Sequence, residues 1–474
     1  MKDYDIALKG ARLVDPANGV DGLKDLGIKD GKVVAIEDDL DTTRACSVVY
    51  VQGKVLVPGV IDPHAHFLSA QLGPRPHRMM AREGMVTAVD MAGGPLEGRM
   101  EDVLASLPAN GVGMNVAVMT NARAYLPSPT AQSPSRNDLK KGFETAVENG
   151  AIGIKVLGRF TPEATRAAVE IANDMRIHVT HHCGTSANVD KPAFDALGDT
   201  IEMVGGDLRL HIAHIQHYCR GESKRPLEEA LDALAMLEGK DNIVSDSLLS
   251  PYNSCSGELS DGKPVDSQTR MCLQLKDYPA SEEGLERAIL DGYALVQFMV
   301  GESDTLLLRK AEALRLWRGN DAKTRLCFPV NVPEATIPLA ISKDRKGNFV
   351  VNAISTDGGV TPKNVQVRSG LALVRFGAMS LDEFVLKTSY NASRMFGMLD
   401  KGHLGVGADA DITVLDLSRG EAVMSLASGK VIMVDGVVVG RGGTIITTER
   451  GEARVKTSGF PYRLIDSEKS RLYT

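Results

Sequence analysis

The chain has 474 residues, 43% hydrophobic and 24% charged, the proportions of a globular protein too long for one small domain. Its 54 lysines and arginines against 61 acids leave a formal charge of −7, which argues against nucleic acid or an anionic membrane as the main partner. No apolar run approaches the ~18 residues of a spanning helix, the N-terminus lacks the apolar stretch of a secretory signal, and the six cysteines show no CxxC spacing, so a cytoplasmic protein with reduced thiols is expected.

The first 54 residues carry short β-type runs, Asp5 to Leu8, Leu26 to Ile28 and Val33 to Ile36, with a turn signal at Asp30-Gly31. The same texture returns after about residue 402, in Ala410 to Leu415 and Val431 to Val439. Both ends together predict one small β-sandwich domain, from residues 1–54 and 401–453, followed by a polar, loosely held tail at 454–474. Between them, across 55–400, β-rich runs alternate with amphipathic segments, the pattern of βα units and a parallel sheet. The runs are Val55 to Ile61, Val86 to Met91, Met114 to Thr120, Ile152 to Leu157, Ile177 to His182, Leu208 to Ile215, Asn242 to Leu249 and Phe349 to Thr356. Helical segments such as Glu163 to Asn173 and Pro226 to Leu237 fit between them. Eight such units predict an α/β fold, a (β/α)8 TIM barrel, with a doubly wound open sheet as the alternative that periodicity leaves. A long insert, at about 251–348, separates the last two strands. It is patternless from Pro251 to Asp277 and helical around Leu285 to Trp317, and its length points to a lid or an oligomer contact.

Eight of the ten histidines fall at three predicted strand ends. His64 and His66 follow Val60-Ile61-Asp62-Pro63, and side chains two apart on a strand face one way, so both imidazoles can grip one metal. Alone, such a pair is more often two hydrogen-bonded core histidines; its position at the C-terminal end of the first barrel strand favours ligation. His178, His181 and His182 end the fifth strand, and His211, His214 and His217 end the sixth. Three neighbouring positions cannot all face the axis, so one ligand is expected from each cluster and the rest are core residues. Alternation and closeness to the barrel mouth favour His182, with His181 as the alternative, and favour His214. His77, in a Pro-rich stretch, reads as a surface residue. Lys155 lies inside the apolar run Ile152 to Leu157 and must find an acid, lose its charge, or react with CO2 to become an anion that bridges two metal ions. Asp357, before Gly358-Gly359 at the end of the eighth run, is either a turn residue or a ligand and general base.

These pieces together resemble the amidohydrolase superfamily. Pro58 to His66 looks like its first-strand signature, and Gly407-Ala408-Asp409-Ala410-Asp411-Ile412 with Val434-Asp435-Gly436 looks like its C-terminal β module. Lys155 in Gly153-Ile154-Lys155-Val156 is similar to the hydantoinase and dihydroorotase branch. That resemblance implies two divalent ions, zinc first, with manganese, iron or nickel fitting almost as well, held by His64, His66, carboxylated Lys155, His182, His214 and Asp357. It implies hydrolysis of an amide C–N bond, in a cyclic amide or imide first, by a hydroxide bridging the ions, with Asp357 moving the proton. It also implies a small-molecule substrate and a homo-oligomer.

Two departures bear on the substrate. Leu68 stands where dihydroorotases place an arginine for the substrate carboxylate, and His182-Cys183-Gly184-Thr185 replaces the His-Ala-Glu of hydantoinases. The stretch His182 to Asn188 and His214-Ile215-Gln216 are similar instead to the metallohydrolase-type subunit of formylmethanofuran dehydrogenase, which implies an N-formyl or N-acyl amide as the second reading. A non-catalytic structural relative would have lost ligands that this chain keeps, and a deaminase of the superfamily would lack Lys155. Tyr252 and Asn253, which open the insert at the barrel mouth, are expected to reach substrate.

Overall fold

The computed structural model describes residues 2–68, 75–93, 98–110, 113–157, 160–184, 191–301, 304–360 and 362–474. Eight parallel strands form a barrel: strand one (Val60–Ala65), two (Met85–Asp90), three (Asn115–Asn121), four (Gly153–Leu157), five (His178–His182), six (Leu210–Ile212), seven (Ile243–Leu248) and eight (Ala353–Ser355). Each pairs with its sequence neighbour, and the ring closes between strands eight and one, where Asp357 N donates to His64 O at 2.8 Å and His66 N to Gly358 O. The helices start where the chain gives them caps. Thr161 accepts from Ala164 N with Pro162 at the first position of Pro162–Asp174, and Ser135 accepts from Asp138 N ahead of Arg136–Glu148. Their apolar faces pack on the outer face of the strands around Val116, Val156, Val179 and Ile212.

The run Val55 to Ile61 is divided. Val55–Pro58 joins a nine-stranded sheet drawn from both chain ends, while the barrel starts at Val60. Gly59 makes the division possible: its N–H donates to Asp411 O at 2.8 Å, and a Cβ there would lie 2.9 Å from Val86 Cβ and 3.0 Å from the Asp411 carbonyl carbon. In the same sheet Asp30 and Gly31 both take left-handed φ, 50° and 75°, the geometry of a tight hairpin between Val20–Lys29 and Lys32–Glu37.

The Gly407 to Ile412 motif joins this sheet to the barrel. Lys401 Nζ donates to Asp409 at 2.8 Å and Asp411 at 2.6 Å, and Asp411 also accepts from Asn115 Nδ2 of strand three at 2.8 Å. All four residues are buried. Asp411→Ala removes one of the two carboxylates on Lys401 and one of the two acceptors of Asn115 Nδ2, leaving Asp409 on the ammonium and Thr87 Oγ1 on the amide, so it should cost about 1–3 kcal/mol. A fall of that size in unfolding free energy from urea denaturation checks it, with Asp435→Ala, at an exposed position, as the control.

The insert has its own core. Asn253–Ser256, Arg325–Phe328, Leu295–Val300 and Asp304–Leu308 form an antiparallel sheet in that order, covered by helices Ser267–Gln274, Glu282–Asp291 and Lys310–Gly319 around Trp317. The span Leu285 to Trp317 is therefore two helices separated by a β-hairpin. The β-rich run Leu295-Val296-Gln297-Phe298-Met299-Val300, flanked by Gly292 and Gly301, is what interrupts the helix. The tail is not loose: Tyr462–Ile465 pairs with Ile445–Thr448, which adjoins strand three, Leu472 is fully buried, and Tyr473 OH donates to Ile177 O at 2.7 Å. Among the described residues no helix is long and apolar enough to cross a membrane, and the six cysteines are free, five of them buried.

Candidate metal centre

The six expected donors meet at the C-terminal mouth of the barrel. His64 Nε2 lies 3.1 Å from Lys155 Nζ and 3.7 Å from Asp357 Oδ1, and the same carboxylate oxygen lies 3.1 Å from His66 Nε2. His182 Nδ1 and His214 Nε2 face each other at 3.0 Å, and the rings of His64 and His214 are 4.9 Å apart between centroids. Ligand atoms of His64, His214 and Asp357 all lie within 4.8 Å of one another.

Strand period and local backbone strain share the work of aiming them. Lys155 pairs with Thr180 across strands four and five, so Lys155, Thr180 and, two residues on, His182 share the inner face. His181 turns away, its Nδ1 3.0 Å from Val156 O. His214 does not follow strand alternation. Strand six stops at Ile212, and His214 takes a left-handed φ of 33° before the turn Ile215–Tyr218, which lets it reach the same site as His211 although they are an odd number of residues apart. Asp357 also sits at a left-handed φ, 46°, just past strand eight.

Electrostatics leave lone pairs available. Burial, helped by the Lys155 charge, pushes the His64 imidazole down to about 3, and burial holds His182 and His214 well below the ordinary histidine value, so these rings are neutral. Burial also lowers Lys155 to about 8, against the pull of Asp246 and Asp357, so roughly a tenth of its amine is uncharged at neutral pH, far more than for an exposed lysine, and able to react with CO2. For Asp357 burial acts upward, but the Lys363 charge and the hydrogen bond from His66 outweigh it and hold the carboxyl well below its usual range. Neutral imidazoles facing one another, an ionised carboxylate and a nucleophilic lysine are a donor set that suits divalent cations, and the residues present fit them.

Beneath the donors runs a buried support. Asp246 Oδ2 accepts from His211 Nε2 at 2.8 Å and lies 3.3 Å from His64 Nδ1, while Ser355 Oγ donates to its other oxygen. His178 Nε2 is 3.1 Å from His211 Nδ1. This fixes the ring of His64 so that Nε2 faces the site. Sequence reasoning missed Asp246, whose one signal was an acid within the run Ile243 to Leu248, and Lys363, which donates to Asp357 Oδ2 at 2.7 Å. His77 is not a surface residue: it is buried, and Nε2 accepts from Gly113 N at 2.6 Å and Met114 N at 2.9 Å, pinning helix Arg75–Arg82 to the start of strand three. Burial keeps that ring neutral, with its pKa lowered to about 4.

Asn253 is buried, its Oδ1 accepting from Arg220 Nη2 at 3.1 Å, and Tyr252, half-buried, accepts from Asn331 Nδ2 through its carbonyl at 3.2 Å. Among the described residues no hydrogen bond ties either side chain to the six donors. Thr185 to Asn188 lie outside the described residues.

Histidines on strands one, five and six, a lysine on strand four and an aspartate after strand eight, all at one barrel mouth, define a metal-dependent hydrolase. The chain belongs to the Amidohydrolase family, whose model matches residues 55–441, and acts on carbon–nitrogen bonds other than peptide bonds. A dihydroorotase of Elusimicrobium minutum is 24% identical over 433 residues, covering 87% of this chain and 88% of that protein. An N-acyl-D-glutamate deacylase of Bordetella bronchiseptica, solved with zinc and a phosphonate inhibitor, superposes with a TM-score of 0.68 at 17% identity, over 94% of this chain and 99% of that one. A chain of the formyltransferase/hydrolase complex of Methylorubrum extorquens, bound to methylofuran, gives 0.62 at 16% identity, over 94% and 91%.

Proposed function

We propose that the chain hydrolyses the C–N bond of a cyclic amide or imide at a two-ion centre formed by His64, His66, His182, His214, Asp357 and a carboxylated Lys155. The observation that carries this is the convergence of all six side chains, with Lys155 Nζ 3.1 Å from His64 Nε2 inside an otherwise apolar strand. Divalent ions bound there supply Lewis acidity, lowering the pKa of water and polarising a carbonyl; zinc suits the imidazole-rich set, as do manganese, iron and nickel.

The chain's own groups do the rest. His64, clamped by Asp246, and the facing pair His182 and His214 hold fixed positions. Asp357, ionised and hydrogen-bonded at Oδ1 by His66 and at Oδ2 by Lys363, takes a proton from the attacking water and delivers it to the leaving nitrogen. The dihydroorotase likeness over nearly the whole chain supports a cyclic amide. The second reading, an N-acyl or N-formyl amide, is supported by Cys183-Gly184 after His182 in place of the hydantoinase residues. Turnover of hydantoins, dihydropyrimidines, lactams, cyclic imides, N-acyl and N-formyl amino acids by zinc-loaded protein tests both. Hydrolysis of the cyclic set supports the first reading, hydrolysis confined to the open-chain set replaces it with the second, and no amide hydrolysis removes both.

A further inference from the structure

Arg220 lies six residues beyond His214, just past the turn Ile215–Tyr218 that leaves strand six, and is 5% exposed. Two of its three arms are held by neutral oxygens: Nε donates to Asn331 Oδ1 at 2.9 Å and Nη2 to Asn253 Oδ1 at 3.1 Å. The third nitrogen, Nη1, is buried without a partner, and no carboxylate forms an ion pair with this guanidinium among the described residues. A buried guanidinium held only by carboxamides is costly, because nothing replaces the water that its charge gave up. It follows the turn that carries His214 and His217, and both of its hydrogen-bond partners belong to the insert at the barrel mouth. Its charge lowers the pKa of the His217 ring, whose centroid is 4.7 Å from that of His182 and 5.0 Å from that of His214, and it is favoured in turn by the Cys272 thiol first and by the Asp357 carboxylate at longer range.

We propose that Arg220, fixed in place by Asn253 and Asn331, binds a carboxylate of the substrate, so that the amide hydrolysed at this centre is one bearing an acid group. The inference rests on the amide-hydrolase reading and narrows it. Arginine is suited to the task because its planar fork meets a carboxylate with parallel N–H donors. Holding two arms on carboxamides leaves the remaining donor pre-oriented, so little side-chain entropy is lost on binding. The position also replaces what the first strand lacks, since Leu68 has no charge to offer. Asn253 then acts in substrate recognition through Arg220 as a positioning residue.

The test pairs charged and neutral versions of two scaffolds: hydantoin-5-acetic acid with hydantoin-5-acetamide, and N-acetylglycine with N-acetylglycinamide. Turnover and calorimetric affinity are measured on zinc-loaded wild type, Arg220→Met and Arg220→Lys. Wild type should favour the acid of at least one pair, and Arg220→Met should lower kcat/KM or affinity for that acid by on the order of 10²-fold while changing its neutral partner less than about threefold. Arg220→Lys should recover part of the loss. Equal handling of acid and amide by wild type, or an equal loss for both in Arg220→Met, would overturn the carboxylate assignment and leave amide hydrolysis standing. If wild type hydrolyses no compound, the hydrolase reading falls and the titrations still decide: selective, Arg220-dependent binding of the acids upholds the assignment, and its absence overturns it. Should Arg220→Met fail to fold, the wild-type acid-to-amide preference and Arg220→Lys carry the same decision. Cys272, whose thiol pKa Arg220 helps to lower against burial, is the competing counter-charge. Unchanged acid preference in Cys272→Ser supports the substrate as the partner, and its loss favours the thiol.

Discussion

Lys155→Ala should abolish turnover, by on the order of 10³-fold or more, and should remove bound metal in the same step, because a shared bridging anion would serve both ions. The side chain is fully enclosed, 1% exposed, and its Nζ faces His64 Nε2, which in turn lies 3.7 Å from Asp357 Oδ1. Burial lowers its pKa to about 8, against the attraction of Asp246 and Asp357, so the uncharged amine that CO2 requires is present near neutral pH. Alanine leaves a gap at the centre of the ligand set. Short carboxylic acids such as acetate and propionate should enter it and restore part of the activity and metal content. The measurement is metal analysis and turnover on one preparation, with and without the acid. Anomalous scattering from wild type grown with excess metal and CO2 completes it: a single ion beside an unmodified Lys155 would overturn the two-ion proposal.

Asp357→Asn is expected to separate binding from chemistry. The carboxylate is ionised near neutral pH, because Lys363 and the hydrogen bond from His66 outweigh the upward effect of burial and hold its pKa well below the usual range. Asparagine keeps one oxygen for His66 or a cation and loses the ability to accept a proton. Much of the metal should stay while turnover falls by on the order of 10²-fold or more, the scale usual for general acid and base groups. Its left-handed φ of 46° suits asparagine as well as aspartate, so the substitution does not strain the turn. If Asp357 merely capped the Gly358-Gly359 turn, the Asn variant would be nearly silent. Full activity in that variant, on protein with unchanged metal content, would take Asp357 out of the mechanism.

The amino-acid sequence by itself determined the layered plan and singled out the candidate side chains that converge at the barrel mouth, because these depend on short-range periodicity. A strand repeats every two residues, so His64 and His66 had to face one way, and Lys155 within an apolar strand had to be buried with a partner. Alternation of β runs with amphipathic helices of ordinary length specified a parallel sheet of βα units, and the histidines clustered at strand ends marked the end that carries the site; closure into a barrel, through Ala65 and Gly358, was decided by tertiary pairing. What tertiary structure decided depends on residues distant in sequence. Asp246, Lys363 and Arg220 looked like ordinary polar residues until folding buried them against His64, Asp357 and Asn253. His214 reaches the site only because the strand ends early and its backbone turns left-handed, an irregularity that no period encodes. The same holds for the break at Gly59 and the hairpin inside the insert: each is set by what packs against it, Asp411 and Val86 in the first case and strand Arg325–Phe328 in the second. Local pattern chose which elements form and which way their side chains point, while the cost of burying unpaired polar groups chose which of them meet.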